Sequence, residues 1–402
     1  MIEWLQRHPG SAPFLVTSDR LWTFAETLTE VEHRVTREPS ILRPRLDPPS
    51  VFDLLAGISG GGAIVMGRVD SPVPPGEAEG TELVVFTSGS TSEPKGVRLT
   101  MANLEAASTG SERHLAHGPD DTWLLAMPLH HVAGLSILVR SAHAGGAVRL
   151  MDGFDPAALA EAMKVGVSMV SVVATMLTRV LDHDPGPYHG LKAVLIGGGP
   201  IPDGLLERAI AAGIPALPSY GMTETFGQVA TLRPGSPPVR KVHPLPGVEL
   251  RIEPDGRIAV AGGQVSPGYL GEPDRDDRWL ITNDLGEIDQ EGALRVMGRA
   301  DTVVVTGGEN VDPSRVETEL AQHPDAGEVL VFGIPDPEWG LALACLHTGG
   351  ASSEDLIAWL RSRLPGHMVP KRWARVGEIP KTALGKPDRQ RAIDLCLGRE
   401  RF

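Results

Sequence analysis

Only two of the 402 residues are cysteine, Cys345 and Cys396, and they stand in no CxxC and no Cys/His spacing. A disulfide framework and a structural zinc site are therefore excluded. Cys345, inside the apolar run LALACL, reads as a core residue. Aromatic residues make up 4% of the chain, and 37 Lys and Arg face 51 Asp and Glu for a net charge of −14. Both facts argue against a nucleic-acid module, and the second also against adsorption to an anionic membrane. The longest clear apolar run, 169–177 (MVSVVATML), spans nine residues, far short of the roughly 20 a spanning helix needs. The opening MIEWLQRHPGSAPF lacks a basic segment followed by an apolar one, so no secretory signal is expected and the cytoplasm is the expected compartment.

What is present is an ordinary globular balance, 41% hydrophobic and 22% charged, in a chain long enough for two or three packed units. Gly and Pro are abundant at 47 and 35 residues, which predicts short elements joined by many turns. Charge is uneven: 361–391 holds nine Lys or Arg against Glu378 and Asp388. Such a segment suits a small polyanion, or is simply a solvated basic face.

From Glu82 to Leu217 apolar β-rich runs alternate with helix-period segments. ELVVFT precedes MANLEAAS, TWLLAM precedes LSILVRSAH, AVRLM precedes DPAALAEAMK, VSMVSVV precedes TMLTRVL, and LKAVLI precedes DGLLERAIAA. Near-continuous apolar strands with crossover helices predict parallel strands covered on both faces, the doubly wound α/β arrangement. Between Val248 and Val305 short β pieces separated by Gly, Asp and Pro predict a small antiparallel β subdomain. Beyond about Arg299 a mixed stretch of helices and strands ending in the basic tail predicts a small α+β domain. The division expected is 1–298 and 299–402.

The densest chemistry lies in VVFTSGSTSEPKGVRLT. A buried strand runs into Thr87-Ser88-Gly89-Ser90-Thr91-Ser92-Glu93-Pro94-Lys95-Gly96, with five hydroxyls, two glycines and one lysine in ten residues. Hydroxyl donors, closely approaching backbone N–H groups and a point positive charge are what a polyphosphate requires, although a Ser/Thr-rich surface turn has the same composition. The Walker A pattern GxxxxGK[ST] is absent. Gly57-Ile58-Ser59-Gly60-Gly61 fits GxSxG, but a helix-like run precedes it and a glycine tract follows, so it lacks the strand and helix of a nucleophile elbow.

The order of residues in the hydroxyl loop resembles the phosphate loop TSG[ST]TGxPKG of the adenylate-forming superfamily of acyl-CoA synthetases, with Ser92 at the one departing position. Further motifs follow in the same order. Pro128 to Gly134 (PLHHVAG) resembles PLFHxxG and places His131 on the histidine that lines the acyl pocket. Gly197-Gly198-Gly199-Pro200 resembles the adenine-side turn. Ser219-Tyr220-Gly221-Met222-Thr223-Glu224 resembles YGxTE, Thr282-Asn283-Asp284 resembles TGD, and Gly298-Arg299-Ala300-Asp301 with Gly307-Gly308-Glu309-Asn310 resembles the hinge and the loop after it. Ile379 to Lys386 resembles the C-terminal PRTxxGK.

The resemblance implies a large N-terminal adenylation domain with a shortened beginning, a small mobile C-terminal domain, and ATP, Mg²⁺ and coenzyme A as reaction partners. It implies that Lys386 is the catalytic lysine, with Thr223 and His131 beside it, and that Thr87, Ser88, Gly89, Ser90, Thr91, Lys95 and Thr223 serve phosphate. Gly198, Gly199, Ser219, Tyr220, Gly221 and Met222 would serve the base, Asp284 the ribose, Arg299 the ribose or phosphate, and Gly307 and Gly308 the pantetheine arm, with Asp301 as hinge. Glu224 would hold Mg²⁺, and the physics agrees, because a carboxylate facing a triphosphate needs a hard cation between them.

Three stretches, WLLAMPLHHVAGLSILVRS, VSVVATMLTRVL and PSYGMTETFGQVATL, are similar to CoA ligases acting on 2-succinylbenzoate in menaquinone biosynthesis. The expected function is thus an ATP-dependent acid–CoA ligase, with Arg140 a candidate for the substrate's second carboxylate or else a surface or capping residue. Two alternatives stand beside it: a ligase for another aryl or acyl acid or for a carrier-protein thiol, and a catalytically idle nucleotide-binding protein. The partners expected are a small carboxylic acid, ATP and CoA, without nucleic acid or membrane insertion; a homo-oligomer is compatible with the sequence.

Overall fold

A computed structural model describes the chain except for residues 39, 62, 67–79, 88–94, 203, 238, 382–386 and 399–402. Its largest sheet has nine strands. Six of them, Pro13–Val16, Ala147–Leu150, Thr122–Leu125, Met169–Val173, Ala193–Gly197 and Ala216–Met222, lie side by side and parallel. Antiparallel strands close both edges.

The apolar runs are continuous because both faces of this sheet are covered. Trp123 and Leu125 face one way with Met169 and Leu195, against Leu104, Leu135 and Leu138 of the helices Met101–Leu115 and Val132–Ala144. Leu124, Val170, Val172, Val194 and Ile196 face the other way, against Leu159, Met163, Leu177 and Leu205. Truncating any of these buried leucines to alanine costs about 2–5 kcal/mol. The helices begin where their sequences say they should. Thr100 and Asn103 form a reciprocal cap, and Asp155 caps a helix whose first residue is Pro156.

One expectation is corrected. The run LVVF, read as a member of the parallel series, belongs to a second, five-stranded sheet. There Leu83–Phe86 pairs parallel with Ile64–Met66 but antiparallel with Gly96–Leu99, so the hydroxyl loop is the connection of a hairpin. A strand buried on both faces carries the same apolar run in either setting, and the pattern alone does not separate them.

Val248–Ile252, Arg257–Gly262, Leu280–Ile288 and Leu294–Arg299 form a four-stranded antiparallel sheet. The last five-stranded sheet pairs Val304–Thr306, Glu309–Val311, Val329–Asp336, Gly340–His347 and Arg372–Arg375. The helices Pro313–Leu320 and Ser353–Arg361 contribute to the core on one of its faces and Ala392 of Arg389–Cys396 to the core on the other, with Cys345 fully buried. The GxSxG sequence lies at the end of helix Pro48–Gly60, where the Ser59 hydroxyl donates to Leu55 O. No described helix is long and apolar enough to cross a membrane.

Candidate active site

The carboxyl ends of the parallel strands open into a cavity of about 1480 Å³, the place where doubly wound sheets bind ligands. Thr87 and Lys95, from the two ends of the hydroxyl loop, lie on its wall with His131, Gly198, Ser219, Gly221, Met222, Thr223, Glu224, Arg299 and Asp301. Residues 88–91 and Lys386 were expected here too and lie outside the described residues. Pro387 and Arg389, immediately after that lysine, line the cavity.

Strand Ala216–Met222 carries the central motif. Its partner strand Gly227–Thr231 runs back so closely that a Cβ on Gly221 would lie 2.0 Å from Gly227 O. Only glycine fits between Tyr220 and Met222; Ser219, Gly221, Met222, Thr223 and Glu224 line the cavity, whereas Tyr220 is not on its wall. Tyr220 donates its hydroxyl to Asp284 Oδ2 at 2.7 Å. Asp284 and Arg299 are cross-strand neighbours, with a guanidinium nitrogen 3.9 Å from Asp284 Oδ1 and Nε donating to Asp301 at 3.0 Å.

Burial pushes the Asp284 carboxyl up, and the Tyr220 hydroxyl and Arg299 only partly pull it back. Burial and the adjacent Asp284 carboxylate both raise the Tyr220 hydroxyl. The hydrogen bond to Asp301 raises Arg299. Asp284 is not itself on the cavity wall, but its neighbours Asn283 and Arg299 are, and it is a half-shielded acceptor suited to hydroxyl donors such as those of a ribose.

Glu224 accepts from the Tyr269 hydroxyl at 2.9 Å, and Lys95 Nζ lies 3.2 Å from Glu272 Oε1 and 4.8 Å from the Tyr269 ring centre. Two carboxylates, a lysine and a threonine hydroxyl on one wall fit a magnesium–polyphosphate group, in which a divalent cation offsets the carboxylate charge. Tyr269 and Glu272 escaped the sequence reading because the strand carrying Tyr269 is two residues long, and nothing local in GYLGEP announces its neighbours.

At the other end of the cavity stands Arg140, 5% exposed. It is neither a surface residue nor a cap. Its Nε donates to Ser136 O at 2.9 Å, Nη1 to Ser111 Oγ at 3.2 Å and to Gln228 Oε1 at 2.6 Å, and Nη2 to Ser136 Oγ at 2.8 Å. The guanidinium also stacks over Trp123, 5.0 Å from the ring centre. None of these partners is charged, and burial lowers the group to about 9. Ser136 lies one turn back on Arg140's own helix, whereas Ser111 and Gln228 come from another helix and a strand, a meeting that no sequence spacing reveals.

Gly307 and Gly308 are not on the cavity wall. They turn the hairpin between Val304–Thr306 and Glu309–Val311, and Trp339 closes over Gly307 so tightly that a Cβ there would lie 2.5 Å from its ring. Gly199 follows the turn but is not on the cavity wall, whereas Gly197 and Gly198 are.

The family model for AMP-binding enzymes matches residues 11–270, and that for the AMP-binding enzyme C-terminal domain matches 315–386. Among curated proteins, the chain is 37% identical over 326 residues to a 2-succinylbenzoate–CoA ligase of Bacillus mycoides, covering 75% of this chain and 68% of the relative. The corresponding ligase of Bacillus cereus strain AH820 is 36% identical over 326 residues, covering 75% and 67%. Among solved structures, an o-succinylbenzoate CoA synthetase from Bacillus subtilis in complex with the acyl-adenylate intermediate OSB-AMP superposes with a TM-score of 0.82 at 27% identity over 97% of both chains. The same synthetase in complex with ATP and magnesium ion gives 0.80 at 26% identity, over 96% of this chain and 98% of that one.

Proposed function

Because the chain belongs to the AMP-binding enzyme family, we propose that it is an ATP-dependent acid–CoA ligase that activates 2-succinylbenzoate as an acyl-adenylate and then forms its CoA thioester. The observation that carries the substrate assignment is Arg140, a buried cation on the cavity wall whose protein partners are all neutral. Four of its five N–H donors are used within the protein, and the remaining one on Nη2 is available to an anion. An acid with a second carboxylate supplies that anion, and relatives named for such an acid support the choice.

A carboxylate is a poor acyl donor because its charge repels a thiolate and oxide is a very poor leaving group. In the first step a carboxylate oxygen attacks the α-phosphorus of ATP, and the bond from that phosphorus to pyrophosphate breaks. Negative charge builds on the phosphate oxygens. Lys386, Thr223 and Lys95 with the hydroxyl loop 87–91 meet that charge, and Glu224 holds the magnesium that offsets the charge of the polyphosphate. Asp284 accepts from the ribose hydroxyls, Arg299 steadies that carboxylate, Tyr220 stacks on the base between Ser219 and the Gly198 turn, and His131 borders the acid. In the second step the thiol sulfur of coenzyme A bonds to the acyl carbon, its proton is lost, and AMP leaves.

We divide the chain into an adenylation domain, 1–298, and a small domain, 299–402, that turns about Asp301 between the two steps. The turn withdraws Lys386 and brings Gly307 and Gly308 to the thiol. The need for ATP and CoA favours the cytoplasm as the compartment.

The test is CoA ligation followed as AMP and thioester formation, with 2-succinylbenzoate beside benzoate, fatty and other aryl acids. A strong preference for 2-succinylbenzoate is expected. Arg140→Met should lower its kcat/KM by about 2–4 kcal/mol, or about 30- to 10³-fold, with far less effect on acids lacking the second carboxylate. Preference for another acid would keep the mechanism and discard this substrate. Tight ATP binding without turnover of any acid would sink the enzymatic reading.

A further inference from the structure

Gln228, 8% exposed on strand Gly227–Thr231, is the centre of the neutral shell around Arg140. Its side-chain oxygen and nitrogen are both engaged. Oε1 accepts from Arg140 Nη1 at 2.6 Å and from Ser111 Oγ at 2.8 Å, and Nε2 donates to Thr231 Oγ1 at 2.9 Å. Thr231 Oγ1 in turn lies 2.9 Å from Ser219 Oγ on the cavity wall. A guanidinium has donors only, so the amide atom facing it is the oxygen, and the Nε2 donor is thereby turned to Thr231. The backbone carbonyl of Gln228 is also tied, accepting from Gln264 Nε2 at 2.8 Å.

A glutamate at this position would have the same reach and the same acceptor geometry, yet a different consequence. It would form a closed, buried ion pair with Arg140, and an incoming carboxylate would meet a neutral pair in place of a cation. Glutamine holds the guanidinium by dipoles and leaves its charge uncancelled. The other side chain that Nη1 contacts, Ser111, is likewise neutral, with the same effect.

We infer that Gln228 is a specificity-determining positioning residue, a neutral partner that fixes Arg140 while reserving its charge for the non-reacting carboxylate of a diacid substrate. The inference rests on the reading of Arg140 given above.

The experiment compares kcat/KM for 2-succinylbenzoate with that for its analogue in which the non-reacting carboxylate is replaced by hydrogen. It uses the full-length enzyme and the variants Gln228→Glu, Gln228→Met and Arg140→Met, with KM for ATP and the unfolding transition as controls. Gln228→Glu should lower the diacid preference by at least about tenfold, through KM for the diacid and not for ATP, because it cancels the buried charge. Gln228→Met removes the same hydrogen bonds but leaves the charge, and the preference should stay within about threefold whatever the absolute rate. A merely structural glutamine gives the opposite order, with methionine the more damaging, and that result would overturn the inference. Arg140→Met retaining the diacid preference would overturn the underlying reading of Arg140. Loss of preference in Arg140→Met with none in Gln228→Glu would overturn the role of Gln228 alone. Should Gln228→Glu not fold, Ser111→Asp brings the same negative charge to Nη1 from helix Met101–Leu115 and carries the same expected outcome.

Discussion

At the nucleotide end of the cavity Asp284 is met by Tyr220 and Arg299, Arg299 by Asp301, Glu224 by Tyr269 and Lys95 by Glu272. At the acid end Arg140 is held by two serines, a glutamine and a backbone carbonyl. The first end holds more carboxylates than cations, Asp284, Asp301, Glu224 and Glu272 against Arg299 and Lys95, each already engaged within the protein, and an incoming nucleotide must exchange partners with groups of which Lys95, Glu272 and Arg299 are well exposed. The second end is rigid, buried and short of one negative charge. On the proposed assignment the difference follows from what each end receives. Mg-ATP comes with a divalent cation to meet the carboxylates and makes many contacts, so individually weak pairs suffice. A small acid has few handles, and one desolvated charge gives the larger discrimination.

The strongest way to break the comparison acts on the chemistry that joins the two ends. Lys386→Ala should reduce pyrophosphate exchange by about 10²–10³-fold, the usual effect of removing one preorganised donor, while thiolysis of supplied acyl-AMP persists. Equal loss of both steps would refute the role given to the lysine. At the nucleotide end, Asp284→Asn weakens two charge-assisted hydrogen bonds and should raise KM for ATP by about 10²-fold; titration of a nonhydrolysable ATP analogue measures it, and diacid preference should not change.

Tyr220→Phe sharpens the same end through pH. In the role proposed for it Asp284 accepts ribose hydroxyls as a carboxylate, and its folded pKa is already raised by burial, with the Tyr220 hydroxyl acting to lower it. Without that hydroxyl the pKa rises further, so the carboxylate is lost earlier as pH falls. The acid limb of kcat/KM for ATP should therefore move upward. A limb that stays put or moves down would show that the hydroxyl does not support the carboxylate.

The smallest effect concerns a third buried titratable group, in the small domain. Glu317 accepts the Val331 N–H at 2.8 Å, and burial pushes its carboxyl up from its ordinary 4.5 to about 7. A raised carboxyl pKa in the folded state means that stability falls as pH rises from 4.5 through 7. The neutral amide carries no such penalty. Glu317→Gln should therefore stabilise the protein at pH 8 by about 1–2 kcal/mol relative to the parent and leave it nearly unaltered at about pH 4, as read by chemical denaturation at the two pH values.

Much of this is legible in the sequence, for reasons that differ from place to place. The parallel strands announce themselves because both faces are covered and each of Leu124, Leu125, Val194 and Leu195 is apolar. Gly221 is legible as part of a motif, but its reason, the carbonyl of Gly227 crossing 2.0 Å from where a Cβ would stand, belongs to the third dimension. The antiparallel pairing of Leu83–Phe86 is not legible, since a buried strand has the same apolar run in either direction. Nor are the partners of Arg140. Ser136 stands at helical spacing from Arg140, but Ser111 and Gln228 look like any other polar residues until helix and strand packing brings them to one guanidinium, and the sequence leaves Arg140 between a substrate contact and a cap or surface residue.

The stacking of Arg140 over Trp123 has an optical consequence. The indole is fully buried beneath the guanidinium, and its emission energy responds to the local electric field. An anion docking on Arg140 changes that field without touching the ring. On the role proposed for Arg140, the indole is an internal chromophore for occupancy of the acid site, readable before any bond is made or broken.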